Sequence, residues 1–249
     1  ARVNLSSGKV TIQDLDSKLA VSYLGGRGFG VRLLYDEVGS SVEPLTSGNI
    51  LIFATGPLTG TGAPTGGRFS VSTKSPLTGT VLDSNAGGKW GVRLKGAGYD
   101  ALIVEGKTSI PVWLLVNSDG ITINDASQLW GLDVEATTDN LLKRVESPQI
   151  ASVACIGPAG EKLVRFASII NDRSRAAGRG GAGAVMSSKN LKAIVAYGKK
   201  KPSIADSERF GFTVYESQKA IKQNPITALA LPKYGTAGLL SIMNVLGAL

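Results

Sequence analysis

Asn171-Asp172-Arg173-Ser174-Arg175-Ala176-Ala177-Gly178-Arg179-Gly180-Gly181-Ala182-Gly183 contains the Gly-x-Gly-x-x-Gly spacing of a dinucleotide fingerprint. That fingerprint needs a hydrophobic strand running straight into the glycine turn and a helix directly after it. Here the residues ahead of Gly178 are Asp-Arg-Ser-Arg-Ala-Ala, too polar for the central strand of a parallel sheet. Strands and helices elsewhere alternate without a regular βαβ period. The sequence therefore predicts an α+β fold instead of a doubly wound one.

Working outward, a helix and then the strand Ala193–Tyr197 follow the run. Ahead of it lie a strand near Val164–Ile169, a buried strand over Ile150–Ile156 and an amphipathic helix over Val134–Val145. Val112–Val116 and Ala101–Glu105 read as extended, and Gly88 to Gly98 as helical. Arg68–Thr73 alternates as a half-buried strand, whereas Ile50–Ala54 is continuously apolar and buried. Asp14–Leu24 and Gly30–Val38 form two short helices meeting at Gly25-Gly26-Arg27-Gly28, after an opening hairpin of Arg2–Leu5 and Lys9–Ile12. Pro57-Leu58-Thr59-Gly60 recurs as Pro76-Leu77-Thr78-Gly79, a tight-turn composition too short to prove duplication.

The texture changes after Lys199-Lys200-Lys201-Pro202, which predicts one domain over 1–203 and the start of a helical second domain over 204–249. Asp206 or Ser207 caps a helix reaching Asn224, and Thr236 to Leu249 forms another. The last helix is apolar around most of its circumference, so it needs missing C-terminal domains or a companion chain to cover it.

Composition narrows the chemistry. The 249 residues carry 43% hydrophobic side chains and a net charge of +8, the profile of a globular protein with an anionic partner. No apolar run reaches the roughly 18 residues of a membrane span, and Ala1 to Leu5 lacks a signal-peptide pattern. The expectation is a cytoplasmic protein with no membrane partner. One cysteine and no histidine exclude an internal disulfide and leave no side-chain cluster for zinc or iron–sulfur. Arg27, Arg68, Arg175 and Arg179 sit beside glycine loops, an arrangement that suits compact phosphates better than a long duplex, so nucleic acid is not expected.

Ala63-Pro64-Thr65-Gly66-Gly67-Arg68 and Asp83-Ser84-Asn85-Ala86-Gly87-Gly88-Lys89 read as loops where main-chain N–H groups, a cation and polar side chains converge. Such loops bind anions, although turn formation is the default use of glycine and composition does not choose between the two. Gly106-Lys107-Thr108 lacks the first glycine of a phosphate loop and reads as a hairpin turn. Cys155 lies in the apolar run Ala151–Ile156 and reads as a small buried hydrophobe. Trp90, Trp113 and Trp130 read as packing residues. Asp172 and Glu161 are titratable residues with no visible partner in the sequence.

Taken in order, Gly25-Gly-Arg-Gly28, Gly56-Pro-Leu-Thr-Gly-Thr61, Ala63-Pro-Thr-Gly-Gly-Arg68, Lys74-Ser-Pro-Leu-Thr-Gly79, Asn85-Ala-Gly-Gly88, Lys95-Gly-Ala-Gly-Tyr-Asp100, Arg175 through Met186 and Leu231-Pro-Lys-Tyr-Gly-Thr236 resemble the N-terminal part of the tungsten-containing aldehyde ferredoxin oxidoreductase family. The resemblance covers almost the whole chain. It implies two β-sheets with flanking helices, forming a base for a tungsten bis-pterin cofactor of the molybdopterin type. The metal of that cofactor is held by pterin sulfurs without a protein ligand.

By motif position, the resemblance gives Arg68 a pterin phosphate contact and has Asn85, Ala86 and Gly87 line the pterin. Arg175 with Ala176 would form the second loop. Main-chain carbonyls of Asn85 and Ala176 would help to bind a magnesium ion bridging the pterin phosphates, in keeping with magnesium's demand for oxygen ligands. The family's 4Fe-4S cluster and its acid/base residues lie further along, outside these 249 residues, so no catalytic residue is assigned. The implied function is the cofactor-binding part of an enzyme oxidising aldehydes to carboxylic acids with ferredoxin as acceptor, with a homodimer as one form it could take. The alternative is a stand-alone module binding a pterin or another phosphorylated ligand.

Overall fold

The computed structural model describes residues 1–248. The chain divides into two compact units, one of Ala1–Thr61 with Thr65–Pro202 and one of Gly62–Pro64 with the residues from Ser203 onward. In the first unit the elements are β1 (Arg2–Asn4), β2 (Lys9–Thr11), α1 (Ser17–Tyr23), α2 (Arg27–Glu37), β3 (Leu51–Thr55), β4 (Phe69–Lys74), β5 (Val81–Ala86), α3 (Trp90–Ala97) and β6 (Ala101–Glu105). They continue with β7 (Val112–Asn117), β8 (Gly120–Asp125), α4 (Val134–Leu142), β9 (Ala151–Cys155), α5 (Pro158–Glu161), β10 (Ile169–Asn171), β11 (Arg175–Ala177), α6 (Ala182–Ser188) and β12 (Leu191–Tyr197).

These strands form two six-stranded sheets, ordered β2-β1-β6-β3-β4-β5 and β11-β10-β9-β12-β7-β8. The pairs β1 with β6 and β12 with β7 are parallel and the others antiparallel, so the α+β expectation of two sheets with flanking helices holds.

Side-chain alternation builds the layers. Leu51 and Phe53 of β3 join Leu102, Val104, Leu114, Ile194 and Ala196 in one core between the sheets. Ile52 and Ala54 point the other way, to a smaller core with Phe29 and Leu34 of α2. On the outer face of the second sheet, Trp113, Val153, Cys155 and Val195 pack with Leu141 of α4. Helix α3 lies between the sheets: Trp90 packs against Phe53 and Phe69 with ring centroids 5.2 and 4.8 Å away, and donates Nε1–H to Ile194 O at 3.0 Å.

Several sequence expectations need correction. Strand β4 is buried on both faces, because α2 covers the side expected to meet solvent and Gly30 of that helix lies over Ser72. Gly106-Lys107-Thr108 is no hairpin turn, since β6 and β7 belong to different sheets and the segment crosses between them. The strand expected near Val164–Ile169 begins only at Ile169. Asn85 and Ala86 close strand β5, and Arg175 and Ala176 belong to β11, where loops were expected.

The second unit opens with α7 (Ser207–Gln223), capped by Asp206, whose carboxylate accepts from Arg209 N at 2.9 Å. A π turn over Ile226–Ala230 leads to α8 (Leu231–Tyr234), a 3-10 turn over Gly235–Leu239 and α9 (Leu240–Val245). The single helix expected over Thr236 to Leu249 is therefore two shorter pieces, and Leu249 lies outside the described residues. By length and composition the stretch Ile226–Val245, of mean hydropathy 1.2, could cross a membrane. However, Gly235 at φ +57° and ψ −150° breaks the helical path. Each half then reaches only about 14 Å, against the roughly 30 Å of a bilayer core.

Candidate cofactor-binding site

The first sheet ends on β5 and the second on β11, and both edge strands carry candidate residues. An edge strand offers a row of main-chain N–H and C=O groups that no neighbouring strand uses. On β5, Asn85 and Ala86 stand opposite Ser70 and Phe69 of β4. Arg68, one residue ahead of β4, donates from Nη1 to Asn85 Oδ1 at 2.8 Å, and Asn85 Nδ2 lies 3.4 Å from Ser70 Oγ. Ala86 is 2% exposed with its methyl in the core, so only its main chain can meet a ligand.

The glycine junction between α1 and α2 reaches the same edge. Arg27 donates from Nε to Asp83 Oδ2 at 2.8 Å, while Ser72 donates to Asp83 Oδ1 at 3.1 Å. Between the junction and β5 lies a hollow of about 350 Å³, lined by Gly25, Gly26, Arg27, Arg68, Ser70 and Asn85 among others.

On the second sheet, β10 and β11 pair antiparallel, with Ile170 opposite Ala176 and Asn171 opposite Arg175. The connecting turn places Asp172 and Arg173 at φ +49° and +64°, the left-handed region that short polar side chains tolerate best. Arg173 is engaged by Asp139. Arg68, Arg175 and Arg179 are exposed and have no carboxylate partner among the described residues.

Gly87, Gly88 and Lys89 lie where the two edges meet. Asn171 donates Nδ2–H to Gly87 O at 2.8 Å, and Lys89 N donates to Asp172 Oδ2 at 2.5 Å. A Cβ on Gly88 would come within 2.3 Å of Asp172 Oδ2 and 2.6 Å of Asn171 Nδ2, so glycine is required for the approach. Nearby, Ser75 Oγ donates to Gly180 O at 2.7 Å, and a Cβ on Gly180 would strike Leu82. A second hollow, about 460 Å³, is lined by Gly88, Lys89, Gln149, Ser152, Asp172 and Arg175 among others.

The sequence singles out four arginines and the Asn-Ala-Gly-Gly segment, and the structure brings Arg27, Arg68 and Arg175 beside that segment. It left Asp172 and Glu161 without partners, and both have them. Glu161 accepts from the buried Lys192 and from Gly131 N. Asp172 accepts from Lys89, Asn171 and Ser152. The available signal was the Asn-Asp pair ahead of a polar turn. Cys155 is fully buried, and burial pushes its thiol up to about 11, which makes it unreactive at neutral pH. Among the described residues no three His, Cys, Asp or Glu side chains converge on a metal position. What this site offers an anion is arginine and backbone N–H, and what it offers a cation is backbone oxygen beside the carboxylates of Asp83 and Asp172, which already accept other bonds.

The two sheets share one core, and their edge strands β5 and β11 meet in a seam beside which Arg68 and Arg175 are exposed without carboxylate partners among the described residues. The chain belongs to the family described as aldehyde ferredoxin oxidoreductase, N-terminal domain, whose model matches residues 1–198. It is 51% identical over 243 residues to the tungsten-containing aldehyde ferredoxin oxidoreductase of Pyrococcus furiosus, covering 98% of this chain and 40% of that protein. It is 37% identical to an aliphatic sulfonate oxidoreductase, WOR-like subunit, of the same organism, covering 88% of this chain and 37% of that one. Among solved structures it resembles the active site complex BamBC of benzoyl coenzyme A reductase, with a TM-score of 0.86 and 41% identity over 89% of this chain and 34% of that one. The chain thus spans about 40% of the length of the curated relatives it matches.

Proposed function

We propose that this chain is the base on which a tungsten bis-pterin cofactor sits in an oxidoreductase that converts aldehydes to carboxylic acids and passes electrons to ferredoxin. The observation that carries the proposal is the seam itself. Arg68 and Asn85 lie on its one side, Arg175 and Ala176 on the other, and Gly87–Lys89 between them.

The residues fit such a group. Pterin phosphates are compact anions, and Arg68 and Arg175, exposed and without a carboxylate partner among the described residues, would meet them with charge-assisted hydrogen bonds. Asn85, Ala86 and Gly87 offer main-chain groups at the end of an edge strand. The carbonyls of Asn85 and Ala176 are oxygen donors of the kind a bridging magnesium ion takes. When bound, the tungsten centre supplies oxygen transfer to the aldehyde carbon and accepts two electrons. The chain's own part is to bind, orient and shield. A 4Fe-4S cluster needs cysteines beyond these residues, since Cys155 is single and buried, and the second unit would begin the helical domain that carries them. A cytoplasmic setting suits a chain with one unpaired cysteine.

The relatives' printed activities differ, from aldehyde to sulfonate to a coenzyme A thioester. The aldehyde reading follows the higher identity, 51% against 37% and 41%.

Arg68→Ala tests the assignment. Loss of one charge-assisted contact costs about 1.5–3 kcal/mol, or roughly a tenfold loss of retention or more. Lys9→Ala, which removes only an exposed hairpin charge, should leave retention unchanged. Pterin fluorescence after oxidation of each purified variant reads the difference, and equal cofactor content in the two would refute the role of Arg68.

A further inference from the structure

Three donors from three segments end on one carboxylate. Asp172 accepts Lys89 N–H on Oδ2 at 2.5 Å, Asn171 Nδ2–H on the same oxygen at 3.1 Å, and Ser152 Oγ–H on Oδ1 at 2.5 Å. Lys89 belongs to the loop after β5 of the first sheet, whereas Ser152 is on β9 and Asn171 on β10 of the second. Asn171, only 1% exposed, also holds Gly87 O at 2.8 Å. Its Oδ1 is buried without a partner, so the amide is oriented entirely by its two donated bonds.

Neutral contacts already join the sheets, through Ser75 to Gly180 and Trp90 to Ile194. A carboxylate is not needed merely to hold them together. What a carboxylate acceptor adds is shorter, stronger bonds of fixed direction; one of them falls on Lys89, and the Asn171 amide that shares the carboxylate holds Gly87 O two residues earlier, so both ends of Gly87–Lys89 are tied to the second sheet. Gly88 permits the approach by having no side chain.

We infer that Asp172, supported by Asn171 and Ser152, is a positioning residue that fixes the spacing between the Asn85–Gly87 contacts and the Arg175–Ala176 contacts. It thereby sets the separation of the two phosphate-binding loops. The inference rests on the pterin reading above. In this role Asp172 acts through Lys89 and Asn171, the groups whose N–H bonds it accepts. Outer-shell partners of this kind change metal or cofactor affinity by about 10- to 100-fold when removed.

The test uses the complete gene product, purified without oxygen, as wild type and as Asp172→Asn, Ser152→Ala and Glu161→Gln. Tungsten and phosphorus per chain, W(V) electron paramagnetic resonance, thermal midpoint and hydrogen exchange of the segment 85–92 are measured on each. Asp172→Asn should lower cofactor retention by about tenfold, broaden or shift the W(V) signal and speed exchange at Lys89. Ser152→Ala keeps the carboxylate and removes one donor, so it should move the same readouts less, and it carries the test if Asp172→Asn does not fold. Glu161→Gln breaks a buried ion pair outside both loops and should lower the midpoint without altering the metal signal or the exchange at Lys89. Wild-type tungsten content, signal and exchange in Asp172→Asn and Ser152→Ala would overturn the inference alone. A wild-type protein without tungsten or phosphorus would overturn the pterin reading and this inference with it.

Discussion

Lys189, fully buried, donates from Nζ to Asn49 O at 2.5 Å and Gly106 O at 3.2 Å. It ties the entry of β3 and the exit of β6 to the corner between α6 and β12. Burial pushes its ammonium down from 10.5 to about 8, with Glu105 drawing it back up. Between about pH 8 and 10.5 the unfolded chain therefore holds a proton that the folded chain releases, so stability from this group rises with pH across that window and is flat below it. Replacing Lys189 by Met should remove that rise, whatever it does to absolute stability. Urea melts of both proteins at pH 7.5, 8.5 and 9.5 would check it, and parallel pH slopes would refute it. Such a lysine is not legible in sequence, because Ser-Ser-Lys-Asn reads as a polar helix end. Cys155 was legible, because the apolar residues around it report burial directly. Asp172 was seen but not understood: its donors lie at positions 89 and 152, far along the chain.

Among the elements, α3 has the most to hold, since it is packed between the sheets and its first residue, Trp90, contacts both. Trp90→Ala should cost about 3–5 kcal/mol through the cavity it leaves, and Trp90→Phe less, mainly the indole bond to Ile194 and part of the ring volume. A denaturant series on the two variants reads the order, and a loss below about 1 kcal/mol for Trp90→Ala would show that α3 is not the joint. The buried strands were legible in the sequence, with β6 matching residue for residue. The edges β5, β8 and β11 were not, because their outer residues face no neighbouring strand and need no apolar run. Val81-Leu-Asp-Ser-Asn-Ala86 alternates in burial only weakly, and Arg175-Ala-Ala177 is too short to show a period. Two of these edges, β5 and β11, also carry the candidate site, so much of the fold that is hardest to read lies nearest that site.

At the scale of the molecule, sheet order could not be derived from local pattern. β1 pairs with β6 about a hundred residues later, and β12 with β7 across nearly eighty, and no periodicity reports such distances. The glycine and arginine motifs did report the family, because each marks a place where backbone must approach a ligand or another strand closely. The proposed role places a phosphorylated tungsten cofactor at the seam between the two sheets. Elemental analysis of the complete gene product, purified anaerobically, tests it most directly. The account predicts tungsten together with phosphorus in each folded chain, whereas a folded protein carrying neither would contradict it.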